Sequence, residues 1–323
     1  MVKKKKKVAK SKSLKVRAAP QIDLSTNIAG IRMKNPVLVA SGTFNCGEEY
    51  SELYNIEKLG GIITKAVTAK RRTGNPPPRM AETPAGMLNT VGLQNEGVDY
   101  FIRMQLPKLL KKDVAVIANV AGSTVEEYVI VVKKLSRFGG LAGIELNVSC
   151  PNVHKGGMAF GVDPLAIREV VSAVRKETTL PLFVKLSPNV TDIVQLARAA
   201  MDAGAAGLSL INTLLGMAIN VETQKPRLSM KMGGLSGPAI KPVAVRMVYQ
   251  VYKELKCPII GMGGIASAED AVEFMLAGAS AVAVGTSNFT DPMFAAELPL
   301  KISEYLTKKE SSSVTELIGS LRE

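Results

Sequence analysis

The chain has 323 residues, of which 46% are hydrophobic, and it carries a net charge of +13 and no tryptophan. This length suits one large α/β barrel or two ordinary domains, and no apolar run approaches the roughly 20 residues of a membrane helix, which excludes a membrane-spanning protein. Three scattered cysteines, Cys46, Cys150 and Cys257, provide neither a disulfide framework nor metal-site spacing. The N-terminus also lacks the apolar stretch of a secretory signal. Together these features predict a soluble cytoplasmic protein.

Most of the positive charge lies at the N-terminus. Residues 1–20 contain eight lysines, one arginine and no acid, so they carry +9 of the total charge. A lysine run of this kind is typical of a disordered, solvated arm. It would also suit nucleic acid or an anionic surface, but we interpret it as a solvated arm. Residues 21–323 are then predicted to form a single domain.

From about residue 21, short β-branched apolar runs alternate with amphipathic stretches that end near glycine. This pattern indicates a parallel sheet covered on both faces, and eight such units favour a (β/α)8 TIM barrel over a doubly wound sheet. The predicted strands are residues 36–41, 61–67, 114–120, 143–149, 182–187, 207–212, 258–264 and 281–286. The predicted helices are residues 48–59, 97–111, 123–137, 164–177, 191–203, 240–255, 268–277 and 293–308, with a short final helix at 314–322.

Two connections are too long for tight turns, residues 70–97 after the second strand and residues 213–239 after the sixth. Both follow the carboxyl end of a strand, and barrel enzymes build their sites at that face. We therefore expect these two insertions to form lids and pocket walls.

Polar or glycine residues end every predicted strand. One or two would be ordinary at a solvent boundary, but two lysines and three asparagines that converge on one rim are costly to bury without partners. The set predicts a functional pocket. Its members are Ser41, Lys65, Asn119, Asn147 with Cys150, Lys185, Asn212, Gly263 with Gly264, and Gly285 with Thr286, joined by Asn89 from the first insertion.

The glycine pairs after the last two strands indicate a phosphate site. In barrels this position offers bare backbone N–H groups and a helix N-terminus to an anion. Gly237, just before the predicted helix 240–255, is expected to contribute to the same site. Ser267 and Asp270 have the spacing of a capping box, which predicts the start of the helix at 268–277. A formal match to the dinucleotide fingerprint at residues 261–266 is weak, because it follows the seventh strand. A phosphate at this point leaves a cofactor ring over the barrel mouth, beside the charge of Lys185, which suits flavin mononucleotide (FMN).

The remaining rim residues suit a planar ring with alternating N–H and C=O groups, such as a pyrimidine. Each asparagine amide offers two donors and an acceptor, and Lys65 would pair with a carboxylate. Cys150 is the rim side chain able to take a proton, since an unperturbed thiol titrates near about 8.5. No set of acids and histidines predicts a metal site, and the chain contains one histidine.

Several motifs together resemble the class 1 dihydroorotate dehydrogenases, most closely the NAD-linked catalytic subunits of class 1B. They are SGTF (41–44), NTVGLQNEG (89–97), NVSCPN (147–152), GGMAFGVDP (156–164), INT (211–213), GLSGPAIKP (234–242) and GMGGI (261–265). The resemblance covers about residues 21–310. Class 2 enzymes carry serine where Cys150 stands and an N-terminal membrane helix, and this sequence has neither.

The resemblance implies a role for each rim residue. Cys150 is expected to remove the C5 proton of dihydroorotate while C6 gives hydride to flavin N5. The implied orotate contacts are Lys65, Asn89, Thr90, Val91, Gly92, Leu93, Asn147, Asn212 and Thr213. The implied FMN contacts are Ser41, Lys65, Ala66, Asn119, Asn147, Lys185, Ile211, Gly237, Gly263, Gly264, Gly285 and Thr286.

The loop of residues 151–161 is expected to close over the substrate, with Gly156, Gly157 and Gly161 as candidate hinges. His154 lies in this loop and is interpreted as a solvated residue without a catalytic role. Cys46 departs from the family pattern and is interpreted as structural although it lies near the exit of the first strand. Cys257, at the start of the seventh strand, is expected to be inert.

The resemblance also implies partners, because reduced FMN must pass its electrons on and three cysteines hold no iron–sulfur cluster. Class 1B enzymes use a partner subunit with FAD and a [2Fe–2S] cluster that reacts with NAD, so we expect a homodimeric core within a heterotetramer. Two alternatives remain, a class 1A-like enzyme that reduces fumarate without a partner, and an FMN-dependent tRNA dihydrouridine synthase.

Overall fold

The computed structural model describes residues 22–148 and 160–322, and its centre is a closed barrel of eight parallel strands. Each barrel strand lies inside one of the predicted apolar runs, so the predicted (β/α)8 barrel is confirmed. A two-stranded antiparallel hairpin precedes the barrel, formed by β1 (Thr26–Ile28) and β2 (Ile31–Met33). The barrel strands are β3 (Val37–Val39), β4 (Gly61–Ile63), β7 (Ala115–Val120), β8 (Gly143–Asn147), β9 (Leu182–Lys185), β10 (Gly207–Leu210), β15 (Ile259–Met262) and β16 (Ala281–Val284).

Amphipathic helices cover the outside of the barrel, and the six longest match the prediction within a few residues. Side-chain caps start several of them; for example, Thr124, Asp163 and Asp192 each accept a hydrogen bond from a backbone N–H of the first turn. The helices are α1 (Glu48–Ser51), α2 (Val98–Tyr100), α3 (Leu106–Leu109), α4 (Val125–Phe138), α5 (Pro164–Arg175), α6 (Ile193–Asp202), α7 (Lys241–Leu255), α8 (Ala268–Leu276), α9 (Ser287–Thr290) and α10 (Phe294–Lys308). No helix in these described ranges is long and apolar enough to span a membrane.

Three helix predictions are wrong in extent. Residues 48–59 form only α1 and a 3-10 turn, Ile56–Lys58, which Asn55 starts by accepting the Glu57 N–H. Residues 97–111 are divided by a π-helical turn, Phe101–Gln105, just before Pro107, which has no N–H for the helical ladder. The final helix at 314–322 is a single 3-10 turn, Val314–Leu317.

The two insertions were predicted as loops, but they contain strands that pair with each other. The first contributes β5 (Met80–Thr83) and β6 (Gly86–Asn89), and the second contributes β11 (Leu214–Met217) and β14 (Met232–Ser236), in the order β11-β14-β6-β5. A short ribbon, β12 (Ile219–Asn220) with β13 (Lys225–Pro226), extends the second insertion. Both insertions therefore belong to one antiparallel sheet on the carboxyl-end face of the barrel.

Apolar side chains fill the lower interior of the barrel, and the hairpin closes its amino-terminal end. Ile28 and Ile31 from the hairpin pack with Ile117 and Phe183 from the strands, all almost fully buried. Glycine on the neighbouring strand makes room for the large ring: a Cβ atom at Gly207 would lie 2.8 Å from the ring of Phe183. The interior is thus a packed core up to the level of Phe183.

Replacement of the Phe183 ring is expected to destabilise the protein. Phe183→Ala removes a fully buried side chain and leaves a cavity, at a cost of about 3–5 kcal/mol in the free energy of unfolding. Leu165→Ala is the control, because that side chain is 74% exposed on α5 and its loss should change stability by less than about 0.5 kcal/mol. Urea unfolding monitored by circular dichroism measures both variants. Equal stabilities for the two would contradict this description of the interior.

Candidate active site

Side chains from successive strands meet at the carboxyl-end mouth of the barrel. The side chains of a strand alternate between two faces, and Phe183 faces the interior, so Lys185 does too. Lys185 is 4% exposed, and its Nζ atom donates to Ser41 Oγ across the mouth at 3.3 Å. Asn147 pairs with Lys185 in the strand register, and Asn212 Nδ2 lies 3.4 Å from Asn147 Oδ1. Four of the predicted rim residues are therefore brought into one cluster.

The end of β8 is held in place by a tyrosine of the outer helix layer. Tyr128 on α4 is buried, and its hydroxyl donates to the Asn147 carbonyl at 2.7 Å. This bond satisfies a buried carbonyl at the point where the strand leaves the sheet. Asn147 therefore has a defined backbone position directly before the residues that lead to Cys150.

Lys65 lies beside a second cation that sequence reasoning missed. Burial lowers the pKa of the Lys65 ammonium below its ordinary value, and the Arg79 guanidinium lowers it further. Arg79 is held by hydrogen bonds to the Asn75 carbonyl, to Thr73 O at 3.0 Å and to Gln94 Oε1 at 2.7 Å. Two neighbouring cations suit an anionic ligand group. The available signal was the basic, proline-rich run at residues 70–79.

The predicted contacts at residues 89–93 form a folded segment of the first insertion. Asn75 Nδ2 donates to the Thr90 carbonyl at 2.9 Å, and the Val91 carbonyl accepts from Asn75 N at 3.1 Å. Gly92 and Leu93 both have positive φ, 76° and 56°, which is unusual for leucine. All five side chains are partly accessible. The segment is therefore a shaped wall beside the cations.

The insertion sheet connects this wall to the rim. Asn89 pairs with Gly234 in the sheet register, and its Nδ2 lies 3.3 Å from the Gly234 carbonyl. A Cβ atom at Gly234 would lie only 2.0 Å from Thr213 Oγ1. Glycine at position 234 is therefore required for the close approach of Thr213, and two predicted substrate contacts, Asn89 and Thr213, flank the same glycine.

Three glycines of the predicted phosphate site lie where a side chain would not fit. Gly237, Gly263 and Gly264 all have positive φ, and a Cβ atom at Gly264 would lie 2.8 Å from the Gly237 carbonyl. At Gly285, by contrast, a Cβ atom would meet nothing closer than 3.9 Å, so this glycine borders open space. Successive bare N–H groups around such a space suit an anion.

Side-chain hydrogen bonds support this cradle. Thr286 Oγ1 donates to Ser236 Oγ at 2.8 Å, and Ser236 Oγ is 3.3 Å from the Met87 carbonyl, which ties the barrel to the insertion sheet. The predicted N-cap of α8 is confirmed, since Asp270 N donates to Ser267 Oγ at 3.1 Å, but the Asp270 carboxylate accepts from Ala266 N at 2.8 Å rather than closing a capping box on Ser267 N. Ile211 is buried beside Gly263, and Ala66 is buried after Lys65.

A fully buried carboxylate on β8 was not predicted as part of the site. Glu145 is 0% exposed and accepts from Asn119 Nδ2 at 2.5 Å. Within residues 22–148 and 160–322, three buried polar atoms of this layer have no hydrogen-bond partner, namely Asn119 Oδ1, Glu145 Oε2 and Ser209 Oγ. Such atoms are uncommon unless a ligand or solvent completes them. Sequence reasoning missed Glu145 because one acid inside an apolar strand carries no periodic signal.

The cysteines divide into two groups. Cys46 and Cys257 are free and 6% exposed, and burial raises their pKa to about 12 and about 11 respectively. The interpretation of Cys46 and Cys257 as inert thiols agrees with this burial. Cys150, His154 and residues 151–159 of the predicted closing loop lie outside the described residues.

The site as a whole therefore fits a cofactor with a phosphate and a polar ring. The glycine cradle provides for the phosphate, Lys185 provides a cation, and the orphaned Asn119 Oδ1 provides an acceptor. A pair of cations at Lys65 and Arg79 remains for a second anionic group. These features agree with an FMN site beside a carboxylate-bearing substrate.

A family model described as Dihydroorotate dehydrogenase matches residues 23–306. The chain belongs to the dihydroorotate dehydrogenase family. Among curated relatives, proteins named dihydroorotate dehydrogenase B (NAD(+)), catalytic subunit, are 55% identical over 300 residues in Geotalea daltonii and 54% identical over 299 residues in Bacteroides thetaiotaomicron. These matches cover 93% of this chain and 98% and 99% of the relatives.

The fold of the family is also found among solved structures. A crystal structure of DHODH from Eimeria tenella, in complex with ferulenol, superposes with a TM-score of 0.78 at 25% identity. The superposition covers 92% of this chain and 88% of that one. The overall fold described above is therefore shared with that protein.

The burial of Cys46 and Cys257 makes a testable statement about thiol reactivity. The thiolate is the form of cysteine that attacks a disulfide reagent, and a thiol with a pKa of about 12 or 11 is almost entirely protonated at pH 8. The folded Cys150→Ser variant is therefore expected to show no rapidly reacting thiol with Ellman's reagent at pH 8, and two thiols after denaturation. The unmodified protein serves as the control. A fast thiol in the folded variant would contradict the assignment of both residues as inert.

Proposed function

We propose that this protein oxidises (S)-dihydroorotate to orotate with FMN, as the catalytic subunit of an NAD-linked enzyme of pyrimidine biosynthesis. The observation that carries the proposal is the identity of 52–55% over 93% of the chain to proteins with that name. The geometry of the barrel mouth supports it, because a phosphate cradle, a buried lysine and a wall with two cations lie at one end of one barrel.

In this proposal the cofactor contacts are those at the rim. Gly237, Gly263, Gly264, Gly285 and Thr286 hold the phosphate, and Ser41, Lys65, Ala66, Asn119, Asn147, Lys185 and Ile211 surround the ring. Bound FMN supplies the capacity to accept a hydride. Lys185 stabilises negative charge on the ring, and its low exposure of 4% strengthens this interaction because solvent does not screen it.

The substrate contacts lie beside the ring. Lys65, with Arg79 next to it, pairs with the carboxylate of dihydroorotate, and Asn147 and Asn212 bond the N–H and C=O groups of the pyrimidine ring. Asn89, Thr90, Val91, Gly92, Leu93 and Thr213 form the facing wall. The Arg79 hydrogen bonds hold this wall in shape, which orients the substrate before reaction.

Cys150 is proposed to take the C5 proton. It follows Asn147, the last residue of β8, by three positions in the sequence. The loop of residues 151–161 is proposed to close over the substrate and exclude water.

The role of Cys150 is tested by its removal. Cys150→Ala should retain FMN, since Cys150 is not among the proposed FMN contacts, but anaerobic reduction of the flavin by dihydroorotate should slow at least about 100-fold, the usual contribution of a general base. The bleaching of flavin absorbance, followed by stopped flow, measures this rate. Cys257→Ala, a buried cysteine at the other end of the barrel, is the matched control and should react at the normal rate. Near-normal reduction in Cys150→Ala would identify a different base.

The partner is proposed from the relatives' names, in which "catalytic subunit" implies a second subunit. We propose a homodimeric core within a heterotetramer, whose other subunit carries FAD and a [2Fe–2S] cluster and transfers the electrons to NAD. Residues 1–20 are proposed to be a basic arm outside the barrel domain of residues 21–323. Two free, buried thiols agree with a reducing cytoplasmic location.

The electron acceptor is tested with the purified single chain. If a partner subunit is required, the chain alone should reduce its flavin with dihydroorotate but turn over neither with NAD nor with fumarate, and an artificial acceptor dye should restore turnover. The control is the same preparation without dihydroorotate. Rapid turnover with fumarate would instead support the class 1A-like alternative.

A further inference from the structure

Two polar side chains lie next to each other inside the barrel, directly above its apolar interior. Asn119 is on β7 and Glu145 is on β8, and the two residues are register partners. Both are 0% exposed, and Asn119 Nδ2 donates to Glu145 Oε1 at 2.5 Å. Glu145 is also the register partner of Phe183, whose ring fills the barrel interior, so the carboxylate points into the barrel as well. The pair therefore forms the upper boundary of the apolar core.

Burial of this carboxylate has a free-energy cost that no ion pair among the described residues offsets. Among the described residues, no cation lies within ion-pair distance of Glu145, and its Oε2 atom has no hydrogen-bond partner. The nearest lysine on the neighbouring strand, Lys185, donates to Ser41 instead. An unpaired buried carboxylate costs several kcal/mol relative to an apolar side chain. Unfavourable burial of this kind is expected where a polar group serves a functional site.

The geometry assigns Glu145 the role of a positioning residue that determines which way the Asn119 amide faces. A carboxylate only accepts hydrogen bonds, so it can bond the nitrogen end of the amide but not the oxygen end. Because Glu145 holds Nδ2, Asn119 Oδ1 lies at the opposite end of the amide. There it is buried and has no hydrogen-bond partner among the described residues. Glu145 thus presents an acceptor, and never a donor, at this point.

This inference rests on the proposed function, in which Asn119 contacts the FMN ring. The oxidised isoalloxazine ring carries one N–H group, flanked by two carbonyls. A fixed acceptor complements that N–H, whereas a flipped amide would place its NH2 group against it and lose the bond. Glu145 therefore favours binding of the N–H edge of the ring by orienting Asn119, although Glu145 itself does not contact the ring.

The test is a double-mutant cycle on FMN affinity, with apoprotein of the full chain and fluorescence quenching of added FMN as readout. Glu145→Gln keeps the shape but lets the facing amides pair in either orientation, so FMN should bind about five- to tenfold more weakly, as expected for one lost hydrogen bond. Asn119→Ala should weaken binding similarly. In the double variant the Glu145→Gln change should have no further effect, because its route to the cofactor is gone.

A second variant restores the arrangement in reverse. Combining Asn119→Asp with Glu145→Gln puts the carboxylate at position 119 and the amide donor at position 145. An acceptor then again faces the ring edge, so the affinity for FMN should recover towards that of the unmodified protein. Ser136→Ala is the matched control, because it removes a buried hydroxyl without a described hydrogen-bond partner on α4, outside the barrel interior, and should leave FMN affinity unchanged. Thermal melts of each apoprotein show whether a loss of affinity follows from unfolding.

The outcomes separate this inference from the proposed function. If the unmodified apoprotein does not bind FMN, the proposed function itself fails. If it binds FMN, but Glu145→Gln binds within twofold of it, or weakens binding equally with and without Asn119, then Glu145 has no positioning role. Recovery in the reversed pair, together with non-additivity in the cycle, would support the orienting role over a purely structural one.

Discussion

The alternation of side chains along eight parallel strands is the constraint on which the site depends. Because every second residue of a strand points into the barrel, a step of two residues moves from core to mouth. Phe183 and Lys185 are related in this way on β9, and Ile117 and Asn119 on β7. The same backbone geometry that packs apolar rings below therefore places cations and amides above, on strands held rigid by their neighbours.

The insertions depend on this frame and complete it. Their sheet joins two segments that are far apart in the sequence, with Asn89 paired to Gly234. The hydrogen bond between Thr286 and Ser236 fixes the position of this sheet on the barrel. Glycines permit the close approaches, at 234 beside Thr213 and at 264 beside Gly237. The wall at residues 89–93 is consequently held by backbone pairing, which suits a surface that must keep its shape beside a small ligand.

The upper interior of the barrel shows local features that stability alone would not select. Buried polar atoms without a hydrogen-bond partner in the described part of the chain occur on Glu145, Asn119 and Ser209. The pKa of Lys65 is lowered by burial and by the nearby charge of Arg79. Such unfavourable features are expected at functional sites, where the surrounding structure compensates for them. Here the compensation comes from the closely packed layer around Phe183 and from the hairpin that seals the opposite end.

The sequence by itself determined the eight barrel strands, the longer helices and the rim, because each strand lies in a short, mainly apolar run whose carboxyl end is marked by a polar residue or glycine. The predicted cap at Ser267 followed from equally local rules. Only the tertiary structure decided the pairing of β6 with β14, the hairpin of β1 and β2, and the proximity of Arg79 to Lys65 and of Glu145 to Asn119. These depend on contacts between residues far apart in the chain, for which hydrophobic periodicity provides no signal, since periodicity reports which face of an element is buried and not which partner covers it.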